Sequence, residues 1–437
     1  STDPIDRGMY LVPSTGKLLP IDKKRRLDEP FNKLKTRLDT VDVNFEKNIG
    51  EDWLLRGAYA YSRSKHEYGH IRLMNVNLNT GVAARRNEAY DGFIHRTHAG
   101  SLNLNGYVQT GEIEHNLLFG IDAKEYYRYR PGALNSYSSG TTHRNFPINI
   151  YSPVYGTVAY PSDRASGIQY QKLRTIGFYA QDSINLTENL IYSLGVRYEY
   201  YDQVARGTTS GPNTTDQQDG KFTWQTGLLY LLTPEWSVYT NYAQSFSPQM
   251  AMNDDIGDIK PEEGKSIELG TKFQNDSITA SAAVFNIDKK NIMRTVNSVS
   301  TPVGEARSRG FEFDFNGRVT QGLSLGASYA YTKTEVRKDS GAFAVLVGKP
   351  LEATPKHQAS LFANYDFSHL GAKGLRIGGG ARYFGSWYTY YMRTNLPAVP
   401  AGTGFKMDDA VVYDAFISYD TKIAGYETNF SFNVKNL

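Results

Sequence analysis

The feature that most constrains this chain is a regular alternation of short and long connections between segments of period two. In each segment apolar and polar residues alternate, which places successive side chains on opposite faces of a β-sheet. In 411–420, for example, every second position is apolar or aromatic: Val411, Tyr413, Ala415, Ile417 and Tyr419. Sixteen such segments occur, so the sequence predicts an all-β fold.

The order of the connections indicates the kind of sheet. The predicted strands are 38–48, 52–64, 94–109, 114–128, 168–184, 188–202, 220–232, 235–246, 264–274, 277–288, 306–319, 323–335, 356–367, 374–385, 409–420 and 425–435. Short connections of the kind at 49–51 alternate with long ones such as 65–93, 129–167, 289–305 and 386–408. Outer-membrane barrels have short periplasmic turns and long external loops. We therefore predict a transmembrane antiparallel β-barrel.

Composition agrees with a barrel and excludes several other classes. The chain has 32 Tyr and 21 Phe but a mean hydropathy of only −0.49. Membrane helices need about 18 consecutive apolar residues, whereas a barrel strand shows only every second side chain to lipid. The absence of Cys excludes disulfides and thiolate metal sites. The 48 basic and 45 acidic residues are interleaved, so no nucleic-acid partner is expected.

Short motifs in the second half of the chain add a resemblance to a known family. They are Gly-Phe-Tyr-Ala-Gln-Asp at 177–182, Leu-Gly-Val-Arg-Tyr-Glu at 194–199, the segments 239–246 and 260–272, Arg-Gly-Phe-Glu at 309–312 and Asn-Val-Lys-Asn-Leu at 433–437. In order and spacing they resemble TonB-dependent outer-membrane receptors, in particular the ferric siderophore branch. The resemblance extends from about Arg174 to Leu437 and is weaker upstream.

The resemblance implies a barrel of about 22 strands around an N-terminal plug. It also implies a ferric siderophore as cargo, the TonB complex as energy source, and contact with outer-membrane lipid and lipopolysaccharide as a monomer. Against that pattern, we expect 1–37 to be an extracellular loop segment. Residues 38–437 are expected to be a barrel portion without the plug, the early strands and the last strand. The sequence does not identify the siderophore.

Aromatic and Arg residues concentrate in and beside two long connections. Aromatic rings bury ligand area at low entropic cost, and Arg pairs with anionic oxygens. The predicted ligand-binding residues are Tyr127, Tyr129, Tyr137, Trp387, Tyr388, Tyr390, Tyr391 and Arg393. The alternative for each is a place in the outer aromatic girdle or a role in bracing the loops.

No pattern in the sequence indicates catalysis or a resident metal. His66 and His70 have helical spacing but lie in a predicted loop, and the acidic run 253–258 lacks the Glu of a calcium loop. No nucleophile elbow is present. We therefore expect no enzyme activity, no protein metal ligand and no cofactor, with iron entering only as siderophore cargo.

Two other functions remain open at this point. A passive porin is one, since porins have 16 or 18 strands. An adhesive barrel that transports no cargo is another. A plug domain upstream in the native reading frame would favour the receptor, whereas a signal peptide directly before Ser1 would exclude it.

Overall fold

The computed structural model describes residues 11–12, 17–22, 25–132, 134–135, 147–156, 163–164, 168–206, 214–249, 259–296, 299–392, 395 and 399–437. Sixteen long strands cover most of them. They are β1 (Leu34–Ile49), β2 (Trp53–Asn77), β3 (Val82–Thr110), β4 (Ile113–Arg130), β5 (Gln169–Asn185), β6 (Leu190–Arg206), β7 (Thr215–Leu231), β8 (Trp236–Ser247), β9 (Glu262–Gln274), β10 (Ile278–Val296), β11 (Val299–Arg318), β12 (Leu323–Lys338), β13 (His357–Asp366), β14 (Leu375–Phe384), β15 (Ala410–Ile423) and β16 (Tyr426–Lys435).

Small elements decorate the loops. Two-residue strands lie at Leu11–Val12, Lys17–Leu18, Leu134–Asn135, Ile148–Asn149 and Asp163–Arg164, and a short hairpin is formed by Trp387–Tyr391 and Gly404–Met407. Among the described residues the helices are two short 3₁₀ turns, Gly341–Leu346 and Ser368–Leu370. In the described part of the chain no helix is both long and apolar enough to cross a bilayer.

Each of the sixteen strands pairs antiparallel with its neighbour in sequence, from β1–β2 through β15–β16. All sixteen predicted strands are present, and the predicted barrel fold is confirmed. Tight turns separate the strands at one end, as at Gly50, Gly111 and Gly425, where φ is positive. The long connections all leave the other end, which we call the extracellular end.

The pairing registers divide the sheet into two faces. One row crosses β3 to β7 through Leu102, Ile121, Phe178, Tyr198 and Phe222, and we call its face the outer face. The next row crosses the same strands through Ser101, Asp122, Gly177, Glu199 and Lys221, on the inner face. Phe178 and Phe222 are 51% and 55% exposed, as expected for side chains that face lipid.

Charged groups on the inner face satisfy one another. The Arg197 guanidinium donates to both Asp122 oxygens, from Nη1 at 2.6 Å and from Nη2 at 3.0 Å, and also contacts Glu199. Its carbon lies 5.5 Å from the centre of the Tyr179 ring. Further round the sheet, the Tyr239 hydroxyl donates to Glu268 at 2.6 Å. These groups therefore brace the wall of the barrel.

The structure corrects two of the predicted loops. Strands β2 and β3 continue through most of 65–93 and meet at a turn containing Gly81, and β10 and β11 continue through most of 289–305. His66 and His70 therefore lie on β2 rather than in a loop. Above the apolar band both faces meet water, so the apolar alternation ends although the backbone pairing continues. The sequence pattern therefore predicted these strands to end earlier than they do in the structure.

Close packing on the inner face gives a test of the register. A Cβ on Gly310 would lie 2.3 Å from the Tyr331 carbonyl oxygen and 2.5 Å from the Phe285 ring, whereas a Cβ on Gly326 would meet nothing within 4 Å. We expect Gly310→Ala to destabilise the barrel by about 1–3 kcal/mol through overpacking. Denaturant unfolding in detergent measures this. Gly326→Ala on the adjacent strand is the control, and equal stability of the two variants would contradict the register.

Candidate ligand site at the extracellular end

The inner face of β3 and β4 carries a group of aromatic and cationic side chains at its extracellular end. Arg128 lies with its guanidinium carbon 5.1 Å from the centre of the Phe93 ring, and its Nη1 donates to Gln171 Oε1 at 3.1 Å. Arg130 lies 5.4 Å from the Tyr90 ring centre. Cations held over ring faces in this way are stabilised by the ring quadrupole. Two fixed guanidinium groups thus sit where the barrel opens outward.

A β-bulge makes this arrangement possible. The pairing of β2 with β3 shifts by one residue between His66 and Glu67, opposite Gly92, which has a φ of +84°. Glycine adopts this left-handed conformation without steric cost, and a bulge re-aims the side chains beyond it. Phe93 and Tyr90 consequently both meet inner-face Arg residues of β4.

Two predicted ligand residues lie on the opposite face of the same strand. Tyr127 and Tyr129 share the face of Phe119 and Ile121, and the Arg96 guanidinium carbon lies 5.2 Å from the Tyr127 ring centre. The inner-face positions of this run are Tyr126, Arg128 and Arg130. Tyr127 and Tyr129 therefore do not share a face with Arg128 and Arg130, a division that follows from the period of two counted from Asp122. A role for Tyr127 and Tyr129 in ligand binding stays a prediction.

The other predicted group forms a small hairpin. Trp387 pairs with Met407, and the rings of Tyr388 and Tyr391 stack with centres 4.9 Å apart and planes at 27°. A Cβ on Gly404 would lie within 2.7 Å of both rings, so only glycine fits beneath the stack. Tyr388 remains partly exposed, whereas Tyr391 is 3% exposed. The stack therefore consists of one partly exposed ring and one buried ring.

Tyr391 stabilises the hairpin through contacts inside the protein. It packs with Val336, Phe343 and Leu346, and its backbone N–H donates to Glu352 Oε1 at 3.0 Å. Burial, with smaller effects of Tyr388 and Glu352, raises the pKa of the Tyr391 phenol to about 12. The phenol is therefore neutral at any physiological pH.

Some predicted positions cannot be placed in this geometry. Tyr137, Arg393 and the acidic run 253–258 lie outside the described residues. For Tyr390 the structure describes only the backbone, which pairs with Phe405. Ligand binding by these residues, and by Trp387, Tyr388 and Tyr391, stays a prediction.

A buried ion pair holds the nearby loops together. Arg85 Nη2 donates to Glu29 Oε1 at 2.8 Å, both side chains are fully buried, and Arg85 Nη1 donates to the Leu27 carbonyl at 3.0 Å. The second Glu29 oxygen accepts from the Gly156 N–H at 2.6 Å. An apolar cluster lies beside the pair and contains Leu19, Leu27, Ala83, Ile148 and Ile150. Three segments distant in sequence are thus joined above the sheet.

Comparisons with known proteins agree with this fold. The family model described as TonB dependent receptor-like, beta-barrel matches residues 3–437. The chain belongs to this family, whose members are transport receptors, and it is an outer-membrane β-barrel protein. An uncharacterized TonB-dependent receptor of Haemophilus influenzae is 42% identical over 66% of this chain and 85% of its own length.

Other relatives have more specific names. The metal-pseudopaline receptor CntO of Pseudomonas aeruginosa is 30% identical over 84% of this chain and 52% of its own length. The ferrichrome outer membrane transporter/phage receptor of Escherichia coli K12 is 32% identical over 76% of the chain and 43% of its own length. This chain therefore spans about half the length of these two relatives. Among solved structures, the siderophore receptor PiuA of Acinetobacter baumannii has the same fold, with a TM-score of 0.81 at 21% identity, covering 99% of this chain and 65% of that one.

The buried ion pair predicts how the loops respond to mutation. Removing one partner of a buried pair costs about 3–5 kcal/mol, because it strands the remaining charge. We expect Glu29→Gln to loosen the segment 147–156 and to speed its cleavage in limited proteolysis by at least about tenfold. Glu67→Gln is the control, since the Glu67 carboxylate pairs with Lys65 in an exposed position. Cleavage at the wild-type rate in Glu29→Gln would show that the pair does not hold the loops.

Proposed function

We propose that this chain is the barrel portion of a receptor that binds a ferric siderophore at its extracellular end and imports it in a TonB-energised step. Family membership supports this proposal. So do the names of relatives, which include a ferrichrome transporter and a ferrioxamine B receptor. The alternatives of a passive porin and an adhesive barrel do not have this support.

The observation that carries the proposal is the pair of Arg128 and Arg130 on the inner face. Ferric siderophores present anionic oxygen atoms and flat organic groups. Arg donates several N–H groups in a rigid fork to such oxygens, and aromatic rings cover apolar ligand surface. Because Phe93 and Tyr90 already hold the guanidinium groups in place, little side-chain entropy remains to be lost on binding.

The hairpin beside the mouth supplies a second contact surface in this proposal. The Tyr388 ring is partly exposed and the Lys406 ammonium lies 6.0 Å from its centre, so the hairpin combines an aromatic and a cationic group that suit an anionic cargo. Tyr391 is buried and stacks against Tyr388, which keeps the Tyr388 ring in position. Cargo selection therefore rests on Tyr388 and the Arg pair, with Tyr391 as support.

A growth and uptake assay tests the proposal. The full-length gene is returned to a deletion strain under iron limitation, with one purified siderophore at a time as iron source. We expect Arg128→Gln to reduce uptake of the cognate siderophore by about tenfold, the usual cost of one lost charged hydrogen bond. Arg96→Gln is the matched control, because Arg96 also lies over an aromatic ring but on the outer face.

Two results would contradict the proposal. Uptake that persists when TonB is inactivated would indicate a passive channel. If growth depended on this gene with no hydroxamate, catecholate, mixed or citrate siderophore, a ferric siderophore would be excluded as the cargo. Loss of uptake in Arg96→Gln as large as in Arg128→Gln would instead show that the inner-face site is not the determinant.

A further inference from the structure

A row of hydrogen-bonding side chains crosses the inner face of β1 to β4 at one level. His66 Nδ1 lies 2.9 Å from Thr36 Oγ1, and His66 Nε2 lies 3.0 Å from Ser64 Oγ. Ser64 pairs directly with His95, whose Nδ1 lies 2.8 Å from the Tyr126 hydroxyl. Two imidazoles and a phenol are thus brought together from three strands.

The distances within this row match those of ligands that share one metal ion. The His66 and His95 ring centres are 5.7 Å apart. Two imidazoles bound to one ion at a nitrogen distance of about 2.1 Å, at a tetrahedral angle, have ring centres roughly 5 Å apart. Two donor atoms of one such ion are roughly 3 Å apart, which is close to the 2.8 Å between His95 Nδ1 and the Tyr126 hydroxyl.

We propose that His66, His95 and Tyr126 bind a transition-metal ion directly. His66 contributes Nε2, His95 contributes Nδ1, and Tyr126 contributes its oxygen as a phenolate, its proton passing to solvent. Imidazole donors suit zinc, copper, nickel and iron. The contact of Thr36 with His66 Nδ1 fixes the ring orientation, as outer-shell partners do for ligating histidines, and a metal ion at Nε2 would replace the contact of Nε2 with Ser64 Oγ.

This site lies beside Arg128, which pairs with His95 in the sheet, but it binds a bare ion rather than chelated cargo. The proposed function requires no metal ligand from the protein, because the siderophore surrounds its own iron. In the described part of the chain no group of three His, Asp or Glu side chains forms a metal cluster, and in this proposal the phenol of Tyr126 supplies the third donor. The positive charge of Arg128, which pairs with His95, lowers the affinity of the site for a bare cation, so the test needs a strongly bound divalent ion. Cu²⁺, which N and O sites bind most strongly among divalent ions, is therefore the suitable probe.

Copper titration of the full-length receptor in detergent tests the site. We expect one Cu²⁺ ion per molecule in isothermal titration calorimetry, with hyperfine coupling to two nitrogens in its electron paramagnetic resonance spectrum. His66→Gln and His95→Gln should each weaken binding by at least about tenfold, since loss of an outer-shell partner alone typically costs about 10–100-fold in metal affinity. Tyr126→Phe should also weaken it and should abolish the phenolate-to-copper absorption band.

His98→Gln is the matched control. His98 lies three residues from His95 on the same strand, but it faces outward and its Nδ1 lies 2.9 Å from the Tyr59 hydroxyl. Copper binding in His98→Gln should equal that of the wild type. Equal binding in the wild type, His66→Gln and His95→Gln would overturn the proposal. Because the probe is the metal alone, this result is independent of siderophore uptake, and folding of each variant is checked by heat-modifiable gel mobility.

Discussion

Every part of this molecule depends on the need to pair backbone N–H and C=O groups inside a hydrocarbon layer. Lipid offers no hydrogen-bonding partner, so a strand can cross only if both of its neighbours supply the missing donors and acceptors. The antiparallel registers meet this need for β2 to β15, each of which pairs on both sides with its neighbours in sequence. Once those registers are set, a period of two decides which side chains meet lipid and which face the interior.

The same period separates a binding surface from a membrane surface on a single strand. On β4, Tyr126 and Arg128 face the inner side while Tyr127 faces outward. Arg96 lies over the outer Tyr127 ring in the same way that Arg128 lies over the inner Phe93 ring. Aromatic and cationic side chains therefore occur on both faces at this height. What distinguishes them is register, reset locally by the bulge at Gly92.

This explains which features could be predicted from the sequence. The sixteen strands and their tight turns were predictable because lipid imposes apolar alternation and the turns use residues such as Gly50. The upper parts of β2 and β3 were not, because water on both faces imposes no alternation there. The sequence also could not show that Tyr391 is buried while Tyr388 stays partly exposed. This difference depends on packing against Val336 and Phe343, which are distant from both residues in the sequence.

The chain leaves the rim at Arg130 and returns beside it at Gln169, which pairs with Arg130 in the sheet. Closing a flexible loop costs only about 0.6 kcal/mol more for each doubling of its length. Midway, Arg25 Nη1 donates to the carbonyls of Ile150 and Tyr151 at 2.8 and 2.9 Å, which divides the excursion into two shorter spans. Leu134 and Ile148 also pair with β3, so the excursion is tied to the sheet at several places. A change in loop length between these tie points leaves the pairing of Arg130 with Gln169 intact, so the external surface can diversify while the sheet stays the same.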